Sequence, residues 1–252
     1  KSGIFDGINV TIPYKQTVIP YLDELSDVAK RIGSVNTVVK RSDGTLYGHN
    51  TDYYGFTYMV KRSGVDVEGK KVIVLGDGGA SLTICTVLSD LKAKEVVVFS
   101  LFTENTYDKL NLHYDAEIIV NATPVGMYPN TGKSLIEDMS KFTKCEAVFD
   151  VIFNPAKTQL LLDAEKCGIK AYNGLSMLVA QAVRSSEMFT DTQIVDEKIE
   201  SVISALELQM KNIVLVGMPG CGKTYTAKLL ANELEREVID IDEQIVIKAG
   251  MT

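Results

Sequence analysis

From Lys71 onward, short runs of Val, Ile and Leu alternate with stretches of helical periodicity. This alternation constrains the fold most, because parallel strands crossed over by helices are the arrangement that buries such runs on both faces. The class is α/β. Strands are expected over 4–12, 34–41, 45–50, 71–75, 95–99, 117–121, 146–152, 213–216 and 237–241. Ser42-Asp43-Gly44 reads as a hairpin turn, since glycine supplies the positive φ that tight connections need. A helix is expected to start at Thr51 and Asp52, run to about Arg62 and stop near Gly64. The pattern over 175–210, broken around 190–192, predicts two consecutive helices, with a domain boundary near Lys211.

The chain has 252 residues, 46% hydrophobic and 23% charged, enough for two ordinary domains with real cores. Its net charge of -7 argues against nucleic acid or an anionic membrane as partner. The longest apolar run falls short of the roughly 18 residues that span a bilayer, and the first residues lack a signal-peptide pattern, so a cytoplasmic protein is expected. Cys85, Cys145, Cys167 and Cys221 lack C-x-x-C spacing, which predicts reduced thiols rather than a disulfide framework or zinc site. His49 and His113 are the only histidines. Both ends read as cut, so further sequence is expected before Lys1 and after Thr252.

Two glycine-rich turns follow predicted strands. Strand 71–75 leads into Gly76-Asp77-Gly78-Gly79-Ala80-Ser81 and a helix to about Leu91. Here Gly76 permits the tight turn, Gly78 lets a pyrophosphate approach the backbone, and Ser81 is small enough for close packing. The helix amides face the phosphates. Alone, the pattern is also that of a plain strand-to-helix turn. The next strand end, Ser100-Leu101-Phe102-Thr103, offers neither the acid for a free ribose nor the arginine for a 2′-phosphate.

The second turn is more specific. Strand 213–216 leads into Gly217-Met218-Pro219-Gly220-Cys221-Gly222-Lys223-Thr224, which meets the P-loop spacing in full. Gly217, Gly220, Cys221 and Gly222 would cradle ATP phosphates, Lys223 would reach the β- and γ-phosphates, and Thr224 would bind Mg2+. Asp240 and Asp242, expected at the next strand end, would then face the same way, one able to face the metal and the other a substrate hydroxyl. Without the P-loop they would read as solvated acids.

Polar groups gather at three strand ends of the first third: NVTIPYK (9–15), Ser34-Val35-Asn36-Thr37, and Gly48-His49-Asn50-Thr51-Asp52. Such a concentration suits a polyhydroxylated substrate. Singly, Lys15 also reads as a solvated lysine and Asp52 as a first-turn acid favoured by the helix dipole.

Taken together, NVTIPYK, GSVNTVV, GHNTD, GDGGAS, VNATPVGM (120–127), DVIFNP (150–155) and NGLSMLVAQA (173–182) resemble the shikimate dehydrogenase family from Phe5 to Gln209. From Asn212 the P-loop and DID are similar to the start of shikimate kinase. The resemblance implies a two-lobed fold with a Rossmann-type NAD(P) lobe, followed by the start of a P-loop kinase domain. It divides the chain into a substrate and catalytic domain over 1–62, a dinucleotide domain over 63–174, returning helices over 175–210 and a kinase segment over 211–252. It implies NADP-dependent reduction of 3-dehydroshikimate to shikimate, fused to ATP-dependent phosphorylation of shikimate, in aromatic amino acid biosynthesis.

Lys15 and Asp52 would be the catalytic pair. Thr11, Asn36 and Gln181 would bind substrate hydroxyls. Asp27, Gly76, Gly78, Gly79, Ala80, Asn121, Ala122, Thr123, Val151 and Gly174 would border the cofactor, although Asp27 reads equally as an exposed helix acid. A homodimer is left open.

The match has gaps. The family's amino-terminal strand and its serine-bearing loop would lie ahead of Lys1. Phe153 stands for a substrate-facing tyrosine, and Ser100 to Phe102 replace the cluster for the 2′-phosphate, while Asp77 adds a negative charge. NAD therefore stays open beside NADP. So do two other functions, a quinate/shikimate dehydrogenase using NAD and a weakened metabolite-binding domain.

Overall fold

The computed structural model describes residues 5–102 and 104–250. Ile4, with which the first expected strand opens, lies outside the described residues, as do Lys1, Ser2, Gly3, Thr103, Met251 and Thr252. The chain divides into two compact units, Lys1–Glu207 and Leu208–Thr252.

The first unit contains two sheets. In the smaller, β1 (Gly7–Asn9), β2 (Glu24–Leu25), β3 (Thr37–Lys40) and β4 (Leu46–His49) lie in the order β1-β3-β4-β2. The expected hairpin joins β3 to β4 antiparallel, with Gly44 at φ 84° and Asp43 Oδ1 accepting from Thr45 N at 2.9 Å. Strand β2, which pairs parallel to β4, has no counterpart in the expectations, because a two-residue strand is too short to show periodicity. Helix α1 (Asp27–Ile32) is capped by Ser26 and buries Ala29 against Val35 and Val38.

The larger sheet consists of β5 (Lys71–Leu75), β6 (Glu95–Phe99), β7 (Ile118–Asn121), β8 (Ala147–Asp150) and β9 (Lys170–Tyr172), all parallel, in the order β6-β5-β7-β8-β9. Both faces are covered. Val72, Val74, Ile118 and Val120 point into one core with Phe56, Met59, Ile84 and Leu88, from α2 (Asp52–Ser63) and α3 (Gly79–Asp90). Ile73, Leu75 and Ile119 point into the other, with Leu160, Leu161 and Ala164 of α4 (Gln159–Lys166). The period-2 alternation of continuous apolar strands thus fills two cores at once, each such side chain contributing about 1.5–3 kcal/mol. The strand order reverses between β5 and β7, the place where open α/β sheets bind ligands beyond their strand ends.

Helices α5 (Leu175–Thr190) and α6 (Asp196–Met210) are separated as expected, with the break placed at 191–195. Helix α5 packs closely on α2, since a methyl at Gly55 would stand 2.6 Å from the Met177 carbonyl. Helix α6 buries Ile199 and Ile203, and its Glu200 accepts from Tyr58 Oη at 2.5 Å and Arg62 Nε at 2.9 Å. The ends of the larger-sheet region meet: Tyr172 Oη donates to the Ser63 carbonyl at 3.1 Å.

The second unit holds helices α7 (Lys223–Leu234) and α8 (Ile241–Ala249). Neither expected strand forms: 213–216 and 237–241 carry no strand pairing, and Val214, Val216 and Ile239 are 69%, 90% and 69% exposed. The anticipated βαβ opening is therefore corrected. A strand is stable only when paired, and this unit offers no further strand among the described residues to complete a sheet.

Gly174, which caps α5, donates its N–H to the Ile152 carbonyl at 2.9 Å, and an added Cβ would run into the Val151 carbonyl. Gly174→Ala is therefore expected to destabilise the protein by about 1–3 kcal/mol. Urea denaturation measures this, and an unchanged midpoint would show that the two backbones do not approach this closely.

Candidate active site

Beyond Asn9 the chain turns, with Tyr14 N donating to Thr11 O at 2.8 Å and Val18 N to Tyr14 O at 3.0 Å. The strand expected over 4–12 stops early, and Ile12 is 76% exposed, because the pairing of β1 with β3 ends at Asn9 and Thr37. The turn brings Lys15 back beside the smaller sheet. Val35 N donates to Lys15 O at 2.8 Å, and Asn36 N to His49 O at 3.1 Å. Three polar clusters distant in sequence become neighbours.

Lys15 Nζ donates to Asp52 Oδ2 at 2.6 Å, with the two side chains 15% and 10% exposed. Asp52 is the first residue of α2, at the positive end of its dipole. Lys15 is thus paired rather than freely solvated.

A buried hydrogen-bond network sets this geometry. Asn36 Oδ1 accepts from Thr51 N at 2.7 Å and from Thr37 Oγ1 at 3.0 Å, while Asn36 Nδ2 donates to Thr51 Oγ1 at 3.0 Å. Ser185 Oγ of α5 lies 2.9 Å from both Thr37 Oγ1 and Thr51 Oγ1, and Thr51 Oγ1 reaches Gln181 Oε1 at 3.4 Å. Asn36 therefore orients the start of α2. Thr11 is exposed on the turn.

The glycine turn stands beside Lys15. An alanine methyl at Gly79 would lie 3.2 Å from Ser34 Oγ and 3.5 Å from Lys15 Cδ. Ser34 Oγ is buried without a hydrogen-bond partner. Asn50 Nδ2 ties the two sides together, donating to Ser34 O at 2.9 Å and to Thr83 Oγ1 of α3 at 3.2 Å. Arg31 and Tyr53 Oη add a second tie, both bonding Asp90 at the end of α3.

Gly76 has φ 106°, and a methyl there would meet Thr123 Cγ2 at 2.9 Å, so the ends of β5 and β7 approach as only glycine permits. Gly78 faces open space, and no side chain caps α3. With Ala80 in the first turn, this uncapped helix start presents backbone amides of the kind that take an anion. Asn121 Oδ1 accepts from Thr123 N at 3.0 Å and Thr123 Oγ1 at 2.7 Å, shaping the loop that includes Ala122. Val151 and Gly174 border the same strand ends. Asp27 is not gathered in: its side chain is fully exposed and pairs with Lys30 at 3.6 Å.

Motif reading gave Asp150 and Ser185 no role. Asp150 is fully buried and accepts from Asn121 Nδ2, Ile152 N and Thr158 Oγ1, fixing the loops after β7 and β8. Burial pushes its carboxyl above the usual range. Its place in DVIFNP, at a strand end, was the available signal. Ser185 follows Gln181 by one helical turn, the spacing that shares a face.

In the second unit, Lys223 Nζ donates to the carbonyls of Gly217 and Met218, each at 2.9 Å, and Gly220 and Gly222 have φ 77° and 85°. Cys221 lies within the loop and Thr224 in the first turn of α7. Asp240 and Asp242 do not alternate along a strand as expected. Asp240 caps α8 and accepts from Asp242 N at 3.0 Å, because a short acid before an unpaired amide competes well for a helix cap.

Two cavities, of about 200 and 390 Å³, lie around Arg62 and Tyr172 and around Lys61 and Asp90; neither is lined by Lys15 or Asp52. Among the described residues no group of His, Cys, Asp or Glu is arranged to hold a metal ion, and no helix is long and apolar enough to cross a membrane.

Comparison with known proteins places these features in company. Residues 1–38 match the shikimate dehydrogenase substrate binding domain, and residues 213–250 match the ATPase family associated with various cellular activities. The shikimate dehydrogenase (NADP(+)) of Clostridium perfringens is 38% identical over 80% of this chain and 78% of its own length. Shikimate dehydrogenase 1 of Peptoclostridium difficile shares 39% identity with a TM-score of 0.75, covering 82% of this chain and 79% of that one. A chorismate mutase/shikimate 5-dehydrogenase fusion protein of Clostridium acetobutylicum shares 36% identity with a TM-score of 0.77, covering 82% and 79%.

His49, at the end of β4, supplies a test of the site's electrostatics. Burial, and secondarily the Arg184 charge, hold its imidazole below the ordinary histidine value. The unfolded chain then takes up a proton more readily, so stability is full above pH of about 6.5 and falls as pH drops through that value toward the folded one. His49→Gln is expected to flatten this segment of the pH profile of urea midpoints. Parallel profiles for variant and parent would remove His49 as the cause.

Proposed function

The chain belongs to the shikimate dehydrogenase family, and from that membership we propose that its first unit interconverts 3-dehydroshikimate and shikimate. The observation that carries this reading is the position of Lys15, whose ammonium meets Asp52 at 2.6 Å while its stem runs beside Gly79 of the glycine turn. Hydride transfer needs substrate and dinucleotide in near contact, and this juxtaposition supplies it.

In this reading Lys15 and Asp52 exchange the proton of the substrate hydroxyl that becomes a carbonyl. Lys15 polarises the oxygen, and Asp52, fixed by the Asn36 and Thr51 network, holds the ammonium in place. Thr11, Asn36 and Gln181 bind the remaining hydroxyls. Gly76, Gly78, Gly79 and Ala80 hold the pyrophosphate on backbone amides, with Asn121, Ala122, Thr123, Val151 and Gly174 along the rest of the dinucleotide. When bound, the nicotinamide dinucleotide, which is NADP in the relative's name, supplies the hydride chemistry.

The second unit supports an ATP-binding role through its P-loop, and the fused reading makes it the opening of a shikimate kinase. Lys223 and the loop amides would hold phosphates, Thr224 and Asp240 the Mg2+, and Asp242 a substrate hydroxyl. The fusion relative of Clostridium acetobutylicum bears a similar dehydrogenase joined to another enzyme.

Lys15→Ala is expected to lower dehydrogenase turnover about a hundredfold or more. Binding of the reduced dinucleotide, followed by its fluorescence, should stay nearly unchanged. Undiminished turnover in a folded variant would remove Lys15 from the proton path. In the protein that carries this chain, Lys223→Ala should suppress ATP-dependent shikimate phosphorylation and spare dehydrogenase activity. Loss of both in a still-folded variant would contradict separate sites.

A further inference from the structure

The acid that the second strand end lacks in sequence is delivered there by the fold. Asp77 follows Gly76 at the end of β5, and its Oδ2 accepts from Ser100 Oγ at 2.7 Å. Ser100 is the first residue beyond β6, the neighbour of β5 on the side away from the reversal of strand order. It is only 2% exposed, and it is pinned in turn: its N donates to Asn105 O at 3.1 Å, and its Oγ accepts from Phe102 N at 3.0 Å. The hydroxyl proton of Ser100 is thus committed to Asp77. The carboxylate is fixed over the second strand end of the lobe, where dinucleotide-binding sheets place the acid that receives the ribose hydroxyls.

The surroundings offer little to a phosphate. Leu101 and Phe102 are 73% and 88% exposed and carry no charge. Lys109, farther along in the 3-10 turn after this strand end, donates to the Glu104 carbonyl at 2.7 Å. Tyr107 also feels the Asp77 charge: burial first, and Asp77 second, push its hydroxyl above the usual tyrosine range. At the strand end itself an anion and neutral side chains therefore stand where recognition of a 2′-phosphate calls for cations.

We infer that Asp77, held by Ser100, is the residue that reads the adenosine ribose. It accepts hydrogen bonds from a free 2′,3′-diol and repels a 2′-phosphate, giving this chain an affinity for NAD(H) at least equal to that for NADP(H). The inference rests on the proposed dinucleotide site at the glycine turn. It goes beyond that reading by assigning the discriminating side chain and the direction of the preference.

The test needs no turnover. Calorimetric titration of the parent, Asp77→Asn and Ser100→Ala with ADP-ribose and with 2′-phospho-ADP-ribose reads the ribose end alone. The parent is expected to bind ADP-ribose at least as tightly as its phosphorylated form. Asp77→Asn should shift the affinity ratio toward the phosphorylated ligand by about tenfold or more, the size of one charged hydrogen bond replaced. Ser100→Ala should shift it the same way by less. If both ligands bind and the ratio does not move in Asp77→Asn, the inference is overturned and the dinucleotide site stands. If neither ligand binds the folded parent, both are overturned.

Discussion

The amide of Asn36 fixes where α2 begins, and the site depends on that one anchorage. Its oxygen takes the Thr51 backbone amide and its nitrogen bonds the Thr51 hydroxyl, so the first turn of α2 is held by the smaller sheet. Along its length the same helix buries Phe56 and Met59 in the core of the larger sheet. Asp52 thus stands on an element fixed from both sides. Breaking such a buried network leaves several hydroxyls and an amide without partners, each a cost of about 1–3 kcal/mol.

Much of this was legible before folding because the informative residues are local. The strands at 71–75 and 95–99 carry continuous apolar runs and were bounded correctly. Helix α2 announced both its ends, through Thr51-Asp52 and through Gly64, which caps it at φ 67°. Strands β2 and β9 were not legible, since two or three residues hold too little pattern and their pairing is decided by the sheet they join. Residues 213–216 have the composition of a strand but no partner, and composition cannot supply one.

The candidate site was read in the same uneven way. Lys15 and Asp52 were legible as members of motifs, while their 2.6 Å contact depends on a turn after β1 that no periodicity shows. Ser185 and Asp150 act by satisfying other residues' hydrogen bonds, a role visible only when the partners are assembled. The same holds for Asp77, which lies in a glycine turn by sequence and at a neighbouring strand end in space.

The bond between the Tyr172 hydroxyl and the Ser63 carbonyl ties together the two ends of the larger-sheet region. Chain enters and leaves that region at one place, so its ends are already together before anything is attached to them. Inserting a segment with adjoining ends opens almost no extra loop in the host and adds little closure entropy. The joined ends are those of an insert, but the core between them is shared with α2 through Phe56 and Met59, so any exchange of the region would also have to repack the helix that carries Asp52.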